Sequence, residues 1–148
     1  MRGRFIPRYP EKYVGDPNKI MFRSSWELNV LKFFDGRPDI LKYSSEEIII
    51  PYLSPEDNQV HRYFPDFFIE YIDKNGNIFK EIVEVKPLHE SDEKFAKHDR
   101  AKEALAVNNA KWKSASLYCQ SRGMRFRVLT ELSIFHQGAK KKVAHGHV

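Results

Sequence analysis

One cysteine, Cys119, in 148 residues excludes an internal disulfide. Its setting, Leu117-Tyr118-Cys119, reads as a helix packing face rather than an activated thiol. His89, His98, His136, His145 and His147 show no spacing with cysteine or acids that a tight zinc site requires. No apolar run approaches the roughly 18 residues of a membrane helix. Arg2, Arg4 and Arg8 make the first residues basic, but no apolar stretch follows as in a secretory leader. With no internal repeat and no second domain, a soluble, intracellular protein of one core, without a membrane partner, is expected.

What the chain has is size, aromatics and positive charge. A length of 148 residues allows roughly two-thirds of the unfolded surface to be buried around one core. Hydrophobic residues make up 41% and charged residues 30%, with 11 Phe and 7 Tyr, an ordinary globular mixture rich in rings. Twenty-five Lys and Arg against 20 Asp and Glu give +5 and a pI near 9.3. That balance favours anionic partners, nucleic acid first among them.

Residues 1–19 place Arg2, Arg4, Arg8, Lys12 and Lys19 among Phe5, Tyr9 and Tyr13, interrupted by Pro7, Pro10 and Pro17, and read as an irregular basic arm. A folded domain is expected over 20–135. Residues 136–148, with Lys140, Lys141 and Lys142, lack apolar periodicity and read as a basic, mobile tail. Ser24-Ser25-Trp26-Glu27 is a capping-box signature, and Trp26, Val30, Phe33 and Phe34 continue at helical spacing, predicting a helix over about 24–35. Glu47 to Tyr52 predicts a first strand. His61 to Ile72 and Ile78 to Lys86 predict a two-stranded ribbon around Asp73-Lys74-Asn75-Gly76-Asn77. Pro87 ends that strand. Ser91 caps a helix containing Phe95, Ala101, Leu105 and Ala106; a second helical stretch runs over about 109–122 to a stop at Gly123, and Arg125 to Thr130 closes as a strand.

The ribbon carries the chemistry. Strand alternation puts Glu84 and Lys86 on one face and Val83 and Val85 on the other. A three-residue Lys74-Asn75-Gly76 loop, with Gly76 left-handed, makes paired positions sum to 150, so Asp66 lies opposite Glu84. A two-residue Asn75-Gly76 turn would put Asp66 opposite Val85 instead. Directly opposed side chains have Cβ atoms about 5 Å apart, so two carboxylates repel unless a cation or proton lies between them. A divalent ion answers the problem: Mg²⁺ is held by one or two carboxylates plus substrate oxygens, and activates water for in-line attack on a phosphodiester. Lys86 can hold that water or stabilise developing negative charge.

Each feature has a plainer reading. Glu-x-Lys on a strand is usually a solvated face. Glu27 serves equally as the reciprocal partner of the Ser24 cap or as a metal-site acid. Arg62 shares the Asp66 face by parity and can grip a phosphate, while His61 and Arg62 can equally be solvated surface. Glu70, in phase with Asp66 but about 13 Å along the strand, is expected outside the site. Lys94, Lys97, Arg100 and Lys102 read foremost as a solvated helical face.

Pro65-Asp66, then Glu84-Val85-Lys86, resembles the PD-(D/E)xK nuclease superfamily. The resemblance implies a restriction-endonuclease-like α/β fold with an αβββαβ core, a mixed sheet flanked by helices. It further implies Asp66 and Glu84 as metal ligands, the Val85 carbonyl as a third, Lys86 as the catalytic lysine, and Glu27 as the acid many members carry on the first helix. Lys111-Trp112-Lys113, Tyr118-Cys119 and Gly123 through Glu131 resemble the closing element of Tn7-type transposon endonucleases. Pro10-Glu11-Lys12-Tyr13, Phe22 through Glu27, Tyr43 through Glu47 and His61 through Phe67 resemble the head completion nucleases of T4-type tailed phages. That last likeness implies an endonuclease acting at the end of DNA packaging, in the host cytoplasm and then the virion.

The leading expectation is an endonuclease using Mg²⁺, with Mn²⁺ as the alternative ion, that cuts double-stranded DNA with little base specificity beside phage head or portal/neck proteins. Arg2, Arg4, Arg8, Arg23, Arg62, Lys140, Lys141 and Lys142 are the candidate phosphate contacts. Two other readings stand beside it: a non-catalytic head-closure or DNA-end-binding virion protein, and a site-directed transposon or restriction-type nuclease subunit.

Overall fold

A computed structural model describes residues 1–86 and 99–130. The expectations on Pro87, Ser91, Lys94, Phe95, Lys97, the five histidines named above, the tail 136–148 and its lysines Lys140, Lys141 and Lys142 lie outside the described residues.

Helix α1 spans Ser25–Gly36, and Ser24 caps it, its Oγ accepting the Glu27 amide at 3.2 Å. Val30, Leu31 and Phe34 form its buried stripe, packed on Tyr43, Phe67, Ile69, Val83 and Val85. Its last turn is closed from outside the helix. Lys12 Nζ donates to the carbonyls of Phe34, Asp35 and Arg37 at 2.8, 2.8 and 2.9 Å, where a cation also complements the helix dipole. The Asp35 carboxylate, 4% exposed, accepts the Arg8 and Tyr9 amides and the Tyr43 hydroxyl, so this buried charge is fully partnered.

The main sheet has the order β3 (Ile40–Ser45), β6 (Phe67–Ile72), β7 (Ile78–Val85), β8 (Arg125–Leu129). The first two pairings are antiparallel and the last is parallel. Helix α2 (Asp99–Ser121) lies between β7 and β8 in the chain. The order α1-β3-β6-β7-α2-β8 is the expected αβββαβ core, with a mixed sheet flanked by helices.

Three expectations about its parts are corrected. The first core strand is Ile40–Ser45, not the run from Glu47 to Tyr52. Tyr43 and Ser44 are both buried, so this strand does not alternate and carries no period-2 signal. The run from His61 to Ile72 is not one strand. It breaks at Phe64-Pro65-Asp66, where Pro65 has no amide to extend a ladder; β5 (Val60–Tyr63) pairs with β4 (Ile50–Leu53) as a separate ribbon. Finally, the part of the first expected helix within the described residues is continuous with the second. Asn108 and Asn109 are weak helix formers but not breakers, and α2 runs through them to Ser121. Gly123, at φ +68, stands just beyond that end in the left-handed conformation helix stops favour.

The two faces of the sheet carry two cores. Val83 and Val85 face α1, whereas Ile82 joins Ile50, Tyr52, Tyr63, Val107, Ala115 and Cys119 between the sheet, the ribbon and α2. Cys119 is therefore a packing residue, as expected, and burial pushes its thiol up to about 11. Residues 1–19 are mostly irregular but pack closely. Phe5 and Tyr13 enter the α1 core, Gly3–Arg4 pair with Met21–Phe22, and Tyr13 bridges to Tyr43 along β3, covering what would be an open sheet edge.

Candidate active site

The β6–β7 turn sets the site. The Asp73 amide donates to the Asn77 carbonyl at 2.9 Å and the Gly76 amide to the Asp73 carbonyl at 3.1 Å, with Gly76 at φ +86. This is the three-residue loop. Asp73 Oδ1 further accepts the amides of Asn75 and Asn77, both at 2.9 Å, which fixes the turn from within. The pairs run from Ile72↔Ile78 to Phe67↔Val83, and one further step sets Asp66 opposite Glu84.

There the ladder changes character. Hydrogen-bonded pairs alternate along antiparallel strands, so from Asp73/Asn77 they recur through Phe67/Val83 to Pro65/Val85. Pro65 has no N–H to give the Val85 carbonyl. The Val85 amide turns instead to Asp66 Oδ2 at 2.7 Å, and the Asp66 amide donates to Glu84 Oε1 at 3.2 Å. Lys86 donates its own amide to the Leu129 carbonyl on the β8 side. The Val85 carbonyl therefore faces the Asp66 side of β7 without a ladder donor.

Glu84 is 5% exposed, and Lys86 Nζ stands 3.3 Å from its Oε2. Burial first, and then the Glu84 charge, push Asp66 up to about 7, against the opposing pull of the Val85 amide and Lys86. The Tyr63 hydroxyl, buried and outside hydrogen-bond geometry with any described group, lies beside Glu84; burial and that charge raise its pKa.

Glu27 also acts on Asp66 electrostatically, but its Oε1 accepts the Arg23 amide at 2.7 Å. The reciprocal capping bond thus falls on Arg23 rather than Ser24. As placed, Glu27 acts as a cap through Oε1, and no described residue hydrogen-bonds its Oε2. Arg23 joins its guanidinium to Glu46, a residue the sequence reading did not single out. Glu46 donates its amide to the Asp66 carbonyl at 3.0 Å from a left-handed backbone, φ 56. A non-glycine residue held there carries strain of the kind found at functional sites, and no sequence pattern announces it. A second omission is Lys111 of α2, whose ammonium lies over the rings of Tyr52 and Tyr63 within electrostatic reach of Lys86 and Glu84.

The other candidates scatter. The register of β1 (Gly3–Arg4) on β2 (Met21–Phe22), extended by one residue, sets Arg2 opposite Arg23 at the rim. Arg4 reaches the Asn18 carbonyl. Arg8 is tied through its amide to Asp35, eight residues along α1 from Glu27, or about 12 Å of helix axis. Arg62 pairs with Pro51 in the ribbon and stacks on Phe64. The strand parity that linked it to Asp66 is interrupted, so the structure does not bring it to the site by that route. Glu70 pairs with Lys80, away from the site as expected, and His61 pairs with Asp57 on the surface.

Among the described residues no three His, Cys, Asp or Glu side chains converge as a metal-binding group. A buried carboxylate, Glu84, beside the half-buried Asp66, and an unladdered carbonyl nonetheless fit Mg²⁺, which keeps several waters and needs few protein ligands.

This fold and this arrangement define a nuclease of restriction-endonuclease-like architecture. The family model described as the TnsA-like endonuclease N-terminal domain matches residues 37–131, and the chain belongs to that family. It is also 34% identical over 139 residues, 87% of this chain and 90% of the other, to the head completion nuclease of Enterobacteria phage T4. No solved structure matches.

Proposed function

We propose that this nuclease is a Mg²⁺-dependent endonuclease that hydrolyses phosphodiester bonds of double-stranded DNA with little sequence specificity, during phage head completion. The observation that carries the reading is the opposed Asp66–Glu84 pair, Glu84 buried and Asp66 half-buried, with Lys86 on the same face. Asp66, Glu84 and the Val85 carbonyl would hold the ion, with Mn²⁺ as its substitute. When bound, it supplies neutralising charge and a water of lowered pKa. Lys86, 3.3 Å from Glu84, offers an ammonium to the negative charge that develops on the phosphate. Glu27, through the Oε2 that the Arg23 amide leaves unused, would add a third acid.

Arg2 and Arg23 at the rim, with Arg4, Arg8, Arg62, Lys140, Lys141 and Lys142, would neutralise DNA phosphates. Such contacts position a duplex without reading its bases, which supports low specificity. The phage setting, with head or portal/neck proteins as partners and a place first in the host cytoplasm and then in the virion, is supported by the 34% identity to the T4 protein, which spans most of both chains.

The test is supercoiled plasmid with Mg²⁺ or EDTA. Nicking and linearisation are expected only with the ion, with scattered ends, and are lost in a folded Lys86→Ala variant. Undiminished cutting by that variant would overturn the assignment; ends mapping to a few sites would favour a site-directed nuclease; and salt-sensitive binding without cleavage would favour a non-catalytic DNA-end protein.

A further inference from the structure

Lys111 is half-buried on α2, and no hydrogen bond or ion pair engages its ammonium among the described residues. It sits instead over two aromatic faces, 5.7 Å from the Tyr52 ring centre and 5.6 Å from that of Tyr63. Those rings are diagonal neighbours on one face of the β4–β5 ribbon outside the main sheet, Tyr52 pairing with His61 and Tyr63 with Ile50. The ring of Tyr63 thus seats Lys111 while its hydroxyl lies beside Glu84.

Aromatic faces attract a cation but offset only part of the water it loses. Lys86, the cation it feels most, makes matters worse, and Glu84 and Glu56 pull the other way less strongly. Once the Asp66–Glu84 pair is neutralised by an ion, Lys86 loses its partner, and among the described residues only the weaker pull of Glu56 offsets the charge of Lys111 on this wall. An anion is what such a wall lacks.

We propose that Lys111 is a phosphate-binding residue of the cleavage site, gripping the DNA backbone next to the scissile phosphate, with the Tyr52–Tyr63 ribbon as its seat. This rests on the nuclease reading above. It also gives the β4–β5 ribbon a purpose: it holds the second cation at a fixed distance from the first.

The experiment compares the full chain with Lys111→Met and Lys111→Arg. Three readouts are taken: Mg²⁺-dependent plasmid cleavage, the salt dependence of affinity for a short linear duplex in EDTA, and the thermal midpoint in EDTA. Methionine keeps the apolar stem over the rings and removes a half-buried charge that no described residue pairs, so the midpoint is expected to stay or rise. Cleavage should fall about a hundredfold, the scale for loss of one preorganised charge. The slope of log affinity against log salt should shrink by about 0.9, the value for one phosphate contact. Lys111→Arg should restore the slope and part of the cleavage. Wild-type cleavage and an unchanged slope in Lys111→Met would overturn the proposal, as would loss of cleavage accompanied by a lower midpoint that Lys111→Arg does not recover. If the wild-type chain fails to cut with any divalent ion, the nuclease reading fails by itself. The binding arm then decides for Lys111: a reduced slope supports the contact and an unchanged one refutes it.

Discussion

Asp66→Asn should stabilise the ion-free protein at alkaline pH while abolishing its function. Asparagine is isosteric and can still accept the Val85 amide that Asp66 Oδ2 accepts at 2.7 Å, but it does not place a second charge against Glu84. The Asp66 carboxyl is pushed from its ordinary 3.8 to about 7. A folded-state pKa above the unfolded one means that the folded protein favours the proton. Stability from this group is therefore fully present below about pH 4 and is lost as pH rises to about 7. At about 1.36 kcal/mol per pH unit, the ceiling is about 4 kcal/mol, and relaxation and water entry bring the expected gain to roughly 2–4 kcal/mol. For a chain of this length that is on the order of 5–15 °C in thermal midpoint. Differential scanning calorimetry in EDTA should show the variant more stable at pH 8 and level with wild type near pH 3.5. Mg²⁺ should raise the wild-type midpoint and leave the variant's unmoved. A variant less stable than wild type at pH 8 in EDTA would refute the claim that the two carboxylates strain each other.

Other substitutions probe the supports. Glu27→Gln keeps an oxygen for the Arg23 amide, so stability should hold within about 0.5 kcal/mol; cleavage falls only if Glu27 also serves the ion, which a paired melting and plasmid assay reads. Ser24→Ala should cost about 1 kcal/mol of unfolding free energy by removing the cap of α1. Lys12→Met strips three carbonyls at the other end of α1 of their donor and should cost about 2 kcal/mol in denaturant titration. Gly76→Ala meets no atom within 4 Å, so its cost of about 1–2 kcal/mol is that of a left-handed alanine alone. The buried, high-pKa Cys119 thiol should react with a thiol reagent only upon unfolding.

The site was more legible than the fold around it. The Asp73-to-Asn77 segment allowed a three-residue or a two-residue turn, and the structure has the three-residue one, whose register sets two carboxylates eighteen residues apart opposite each other. Strand alternation then separated Glu84 and Lys86 from Val83 and Val85, and the structure puts the valines in the α1 core. The misplaced elements are those where periodicity carries no information. Ile40–Ser45 has adjacent buried residues, and the aromatic run from His61 to Ile72 looks continuous because side chains do not announce that its two halves join different sheets. Pro65 was the sign of that break. Glu46 and Lys111 escaped because their importance lies in a backbone angle and in ring faces contributed by distant elements. Neither leaves a local pattern.

The most direct measurement of the central claim is the Mg²⁺ dependence of plasmid cleavage in wild type and in Glu84→Gln, at fixed enzyme and saturating DNA. If Asp66 and Glu84 share one ion, wild type should saturate with Mg²⁺. Glu84→Gln, with the charge gone and the shape kept, should lose cutting by at least about a hundredfold at every concentration or need far more ion to recover it. Cutting by Glu84→Gln with the wild-type rate and the wild-type Mg²⁺ midpoint would contradict the account.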